Sequence, residues 1–186
     1  MQHHAFTTKY NGRARILYNT VGVSLPITPE EAKTSQSEVK NYLAIWDTGA
    51  THSAITKRVV DDLGLKPTGV RETRHADGKS INNTYLVNIL LPNKVMFGNV
   101  RVTEVKLIPD DNTSDDKQPQ LLIGMDIIGI GDFAVTNADG KTTFSFRVPS
   151  VEEIDFIPET QESNMMEGGN RKARRAFLAK KRRGLV

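Results

Sequence analysis

Short apolar runs, separated by clusters of Gly, Pro, Asn and Asp, recur through most of the chain. That rhythm predicts strands joined by turns rather than a set of amphipathic helices. Residues 13–25 alternate partly and read as a first strand, closed by Pro26 and Pro29. Residues 28–40 are polar and read as a surface loop. Residues 42–46 are apolar enough to form a buried strand. The spacing then changes: Ile55, Val59, Val60 and Leu63 fall on one helix face, and Gly64 supplies a C-cap. Strands follow over 71–81 and 84–91, with Ala76-Asp77-Gly78-Lys79 as the turn of a hairpin. Residues 95–108 continue the pattern with a break at Phe97-Gly98-Asn99, and 110–120 read as an acidic, polar loop. Leu121-Leu122-Ile123 reads as a buried strand, and 125–131 as a short helix interrupted by glycine. A second turn, 137–141, separates strands over 133–136 and 142–148. The sum predicts an all-β chain, a small closed β-barrel with one or two short helices.

Composition alters this picture little. The apolar fraction of 38% is enough for a core. Without Cys there are no disulfides or thiolate metal sites, and His3, His4, His52 and His75 have no metal-ligand spacing, so neither metal nor other cofactor is expected. No apolar run approaches the length of a membrane span, and the first ten residues are polar rather than a signal peptide. The expectation is a soluble, cytoplasmic protein. Charge is more informative, because the net +3 hides a split. Residues 171–186 hold eight Lys and Arg and no acid, which leaves 17 basic against 22 acidic side chains, or −5, for residues 1–170.

Candidate chemistry starts at Ala44-Ile45-Trp46-Asp47-Thr48-Gly49-Ala50-Thr51. An apolar strand runs into an Asp-Thr-Gly turn; the strand desolvates the acid, and Gly lets the backbone turn without a Cβ clash. Strand alternation points Trp46, the single Trp, away from Asp47 and into the core. A second motif, Leu122-Ile123-Gly124, begins 75 residues after Asp47 and offers two apolar residues to pack under the turn and a Gly for close approach.

Together these motifs resemble the aspartic peptidases of the retroviral, retropepsin-like type, over residues 13–149. The resemblance implies Asp47 as the catalytic residue, Thr48, Gly49 and Ala50 as its supporting loop, and Leu122, Ile123 and Gly124 as the packing beneath. It implies that the Thr48 hydroxyl ties two such loops together across a two-fold axis. It also implies a flap, a β-hairpin closing over an extended peptide, with Ala76, Asp77 and Gly78 at its tip. Asp139-Gly140 makes a similar turn, so chain order rather than the dipeptide selects the flap. Such chemistry needs two carboxylates sharing one proton and one water. This chain has one Asp-Thr-Gly and the length of about one domain, so the second Asp47 is expected from a second copy. An obligate homodimer acting on a peptide or protein substrate is the result.

Two positions depart from the retroviral pattern. Many of those enzymes carry an acid where Thr51 stands and an Arg where Met125 stands, an ion pair that braces their dimer. Both are absent here, and Met125-Asp126 is closer to cellular and retroelement-type members. Outside the resemblance, residues 1–12 read as an extension, 150–169 as a polar linker and 170–186 as a basic tail, disordered or helical. The tail suits nucleic acid or an anionic membrane surface, or release by self-cleavage of the linker. The rival function is a non-catalytic dimer of the same fold, a binding or regulatory module that the tail targets.

Overall fold

The computed structural model describes residues 2–26, 38–75, 78–107, 114, 117–157, 160, 164 and 171–183. They fall into two units, Met1–Val151 and Glu152–Val186. In the first, strands β1 (His4–Lys9), β2 (Leu17–Ser24) and β3 (Lys40–Trp46) lead to the short β4 (Ala54–Ile55) and helix α1 (Lys57–Leu63). Then come β5 (Gly69–His75), β6 (Gly78–Leu90), β7 (Met96–Glu104), β8 (Leu121–Ile123), helix α2 (Met125–Ile128), β9 (Asp132–Thr136) and β10 (Thr143–Val148). The expectation of an all-β chain with short helices is met.

The larger sheet has the order β2-β3-β8-β4-β7-β6-β5, and β2 also pairs with β6. That extra pairing closes six strands on themselves and leaves β5 projecting on the outer side of β6. Closure removes the exposed edges an open sheet would present. Alternation then sorts the side chains. Val21, Val23, Ala44, Trp46, Ile55, Tyr85, Val87, Val102, Leu121 and Ile123 fill the interior, with Val59 and Val60 of α1 packed among them. Gly64 ends α1 in the left-handed conformation at φ 61°, as its position in the sequence predicts.

A smaller sheet, β1-β10-β9, is joined to the barrel by aromatic contacts. Trp46 stacks on Phe133 with ring centroids 5.8 Å apart and lies 5.5 Å from Phe6 and 5.2 Å from Phe146. Its indole Nε1 donates to Asn19 Oδ1 at 3.0 Å, so the buried ring keeps its polar atom satisfied.

Two sequence expectations need correction, and a third is decided between its alternatives. Residues 1–12 are not an extension: His4–Lys9 pairs along its full length with β10, from His4↔Val148 to Lys9↔Thr143. The expected break at 97–99 lies within β7, where Gly98 and Asn99 together oppose Asn88 of β6; Asn99 takes φ 54° and its N–H donates to Asn88 Oδ1 at 3.0 Å. A bulge absorbs the irregularity and the strand continues. The basic tail, for which disorder was one alternative, holds helix α3 (Arg171–Arg182). No helix among the described residues is long and apolar enough to cross a membrane.

Candidate active site

Central strand β3 delivers Asp47. It pairs antiparallel with β2 (Trp46↔Leu17) and parallel with β8 (Trp46↔Ile123), so its end is fixed from both sides. The Asp47 N–H extends the parallel ladder by one bond, to the Ile123 carbonyl at 3.0 Å. The chain then turns: Ala50 N–H donates back to the Asp47 carbonyl at 3.2 Å, and Gly49 N–H donates to Asp47 Oδ1 at 2.8 Å. That last bond orients the half-buried carboxylate at a turn whose tip, Thr48-Gly49, is exposed. Trp46, one residue earlier, is buried on the opposite side.

The second motif closes under the first. Met125 N–H donates to the Ala50 carbonyl at 2.8 Å. A Cβ built on Gly124 would stand 2.6 Å from the His52 carbonyl carbon and 2.9 Å from the Ala50 oxygen. Only a residue without a side chain lets the two loops touch at this point. Asp47, Thr48, Gly49 and Ala50 are thus brought against Leu122, Ile123 and Gly124. Gly78 instead opens β6 at the outer end of the β5–β6 hairpin, paired with His75; Ala76 and Asp77 lie outside the described residues.

Residues 32–127, just over half of the chain, match the family model described as aspartyl protease. The chain belongs to the aspartyl protease family. Among solved structures it is similar to a retropepsin-like aspartic protease from Rickettsia conorii, at 16% identity and TM-score 0.44, covering 79% of this chain and 96% of that one. It is also similar to the simian foamy virus protease, at 13% identity and TM-score 0.35, covering 60% of this chain and 92% of that one. No curated protein matches it in sequence.

Two residues that sequence reasoning missed hold the aspartyl protease loops together. Ser53 is fully buried, and its N–H donates to both Asp126 oxygens, at 3.0 and 2.9 Å. Its hydroxyl donates to Asp126 Oδ1 at 2.8 Å and accepts from Gly124 N–H at 3.1 Å. A carboxylate taking this many bonds is a stronger clamp than neutral partners would make. The brace absent at Thr51 and Met125 therefore has a counterpart close by, two residues along at Ser53 and one at Asp126, within a single chain. The signal was an acid directly after Gly124-Met125 and a hydroxyl immediately before Ala54-Ile55, each ordinary on its own.

A second set of polar atoms behaves in the opposite way. Register pairs Ile45 with Leu122, Leu122 with Ala54, Ala54 with Thr103, Thr103 with Thr84 and Thr84 with Gly69. Paired residues share a face, so this row crosses the sheet on the side away from the barrel core. Alternation places Asp47, two residues past Ile45, on that same side. Arg71 follows Gly69 on it. Among the described residues, the buried side-chain polar atoms without a hydrogen-bond partner are Thr84 Oγ1, Thr103 Oγ1 and Arg71 Nη1. All three lie on this one strip, and each such group costs about 1–3 kcal/mol in the isolated fold.

Proposed function

We propose that the protein is an aspartic endopeptidase that hydrolyses peptide bonds with a water held between Asp47 and the Asp47 of a second copy. The observation that carries the reading is the turn itself. A carboxylate is aimed by the Gly49 N–H, its loop is locked against Gly124, and the turn tip is exposed where a partner loop can meet it. One such loop per chain supports assembly across a two-fold axis. Met125 and Ile130, apolar and exposed at 41% and 48%, flank the second motif and offer surface for that contact.

In the dimer, two carboxylates in contact share a proton, so their titrations belong to the pair. The ionised member takes a proton from the water as the oxygen attacks the scissile carbonyl; the protonated member donates to the carbonyl oxygen. Thr48 would tie the two loops across the axis, and the β5–β6 hairpin, whose outer end is marked by Gly78, would cover the peptide. Asp47→Asn removes the shared proton chemistry and is expected to lower peptide cleavage by about 10³-fold or more, with sedimentation still reporting a dimer. Cleavage at the wild-type rate by the purified variant would refute the assignment, and an active monomer would refute the dyad.

One observation favours a second reading, a non-catalytic binding module of the same fold. Helix α3 runs twelve residues without an acid and exposes Arg175, Lys180 and Arg182 beside Leu178. Salt-sensitive binding of an oligonucleotide, equal in wild type and Asp47→Asn, with no cleavage by wild type, would select it.

A further inference from the structure

We propose that the strip formed by Thr103, Thr84 and Arg71 is a specificity site for an acidic side chain of the peptide substrate. The inference rests on the peptidase reading for the identity of the ligand, and on the geometry for its chemistry. Orphaned polar atoms scattered through a fold would say little. Here all of those found among the described residues gather on three adjacent strands, on the face that carries Asp47.

The strip is short of acceptors. Thr84 and Thr103 are 2% and 3% exposed, face each other across β6 and β7, and have hydroxyls free to donate. Facing Thr84 on β5 is Gly69, where even a Cβ would come within 3.3 Å of Thr84 Oγ1, so the backbone approaches the hydroxyl closely on that side. Arg71 stands diagonally from Thr84, a separation of about 7–8 Å that a guanidinium spans. Acids lie close by in sequence but not on this strip: Glu72 points to the other face, where it pairs with Lys79 at 2.9 Å. Thr73, Ser80 and Asn82 bond one another, with 2.9 Å between the Thr73 and Ser80 hydroxyl oxygens and 2.8 Å from Asn82 Nδ2 to Ser80 Oγ; the neutral amide oxygen of Asn82, opposite Arg71, is the acceptor nearest the guanidinium in register. A cation and two hydroxyls with no acceptor call for a group bearing several lone pairs and a negative charge, which is a carboxylate.

Position agrees with this. Thr103 lies three strand spacings from β3, about 14 Å, and an extended peptide advances about 3.3 Å per residue. Arg71, on β5, lies two spacings further, about 24 Å from β3, so the acidic residue falls about four to seven residues from the scissile bond. Arg71 is only half-buried, on the β5 side of the two buried threonines.

The test uses decapeptides in which one Asp, or one Asn, is walked along a neutral extended sequence. Binding is read by fluorescence anisotropy on Asp47→Asn protein, and cleavage is read on wild type. At one register the Asp peptide should bind about tenfold tighter than its Asn twin. Arg71→Gln should erase that difference, and Thr103→Val should reduce it several-fold. Equal binding of the twins at every register, or a preference that survives Arg71→Gln, overturns the proposal. The two readings fail separately. Efficient cleavage with no acidic preference removes the specificity site and keeps the peptidase. Arg71-dependent preference without cleavage by wild type removes the peptidase and keeps the site.

Discussion

The clamp at Ser53 and the strip at Thr84 and Thr103 are built from the same chemistry and put to opposite ends. Both consist of buried hydroxyls within one sheet, and Thr103 N–H donates to the Ser53 carbonyl at 3.3 Å, so they are neighbours. At Ser53 each donor has an acceptor, and Asp126 takes three of the bonds. At Thr84 and Thr103 neither hydroxyl has a partner. A fold under selection for stability alone fills such positions with Val. The first region is finished within the chain; among the described residues the second is not.

This contrast can be broken or sharpened by substitution. The largest effect is expected at Asp126. Asp126→Ala leaves the Ser53 N–H and hydroxyl buried without their acceptor and should destabilise by about 2–4 kcal/mol, read by denaturant unfolding; Asp126→Asn, which retains one acceptor oxygen, should lose less. A loss under 1 kcal/mol for Ala would mean that the clamp is ornamental. Next is Gly124→Ala, whose methyl meets the His52 and Ala50 carbonyls; a destabilisation of about 1–3 kcal/mol and a matching fall in turnover are expected from overpacking.

The sign reverses on the strip. Thr103→Val removes an unpartnered hydroxyl from a site of the same shape and should leave stability unchanged or raise it by about 1 kcal/mol, while weakening acidic-peptide recognition. A marked destabilisation would show that the hydroxyl is satisfied in solution, and the contrast with Ser53 would disappear.

The smallest expected effect is a pH-dependent one in the smaller sheet. Ser150, the Val151 N–H at 3.0 Å and Arg147 at 2.7 Å all donate to Asp132, and they hold its carboxyl well below the ordinary value of 3.8. A depressed folded value contributes stability above about pH 4, and that contribution is lost as the pH falls toward the lowered value. Thermal midpoints of wild type and Asp132→Asn should therefore converge as the pH is taken from 5 toward 2. Parallel curves would show that the group is not linked to folding.

Much of the site was legible because its signals are local. Asp47-Thr48-Gly49 needs only a strand end and a small residue, and Leu122-Ile123-Gly124 an apolar pair and a glycine. The helix ending at Gly64 and the β5–β6 pairing came from periodicity and a turn. What stayed hidden spans long separations. His4↔Val148 joins the two ends of the barrel unit, and Ser53 meets Asp126 over 73 residues. Nothing in His-Ala-Phe-Thr-Thr-Lys marks it as a partner of β10, since its alternation serves a paired strand or an extension equally well. The register shift opposite Gly98-Asn99 likewise exists only once β6 supplies Asn88.

By itself the sequence determined which residues turn, which alternate, and that an acid stands at the mouth of an apolar strand. Those are properties of a few neighbouring side chains and their backbone preferences. Tertiary structure alone decided which hydroxyls are satisfied and which are left wanting. Hydrogen-bond partners are set by the register between strands far apart in the chain, and register is a property of the closed barrel, not of any segment in it.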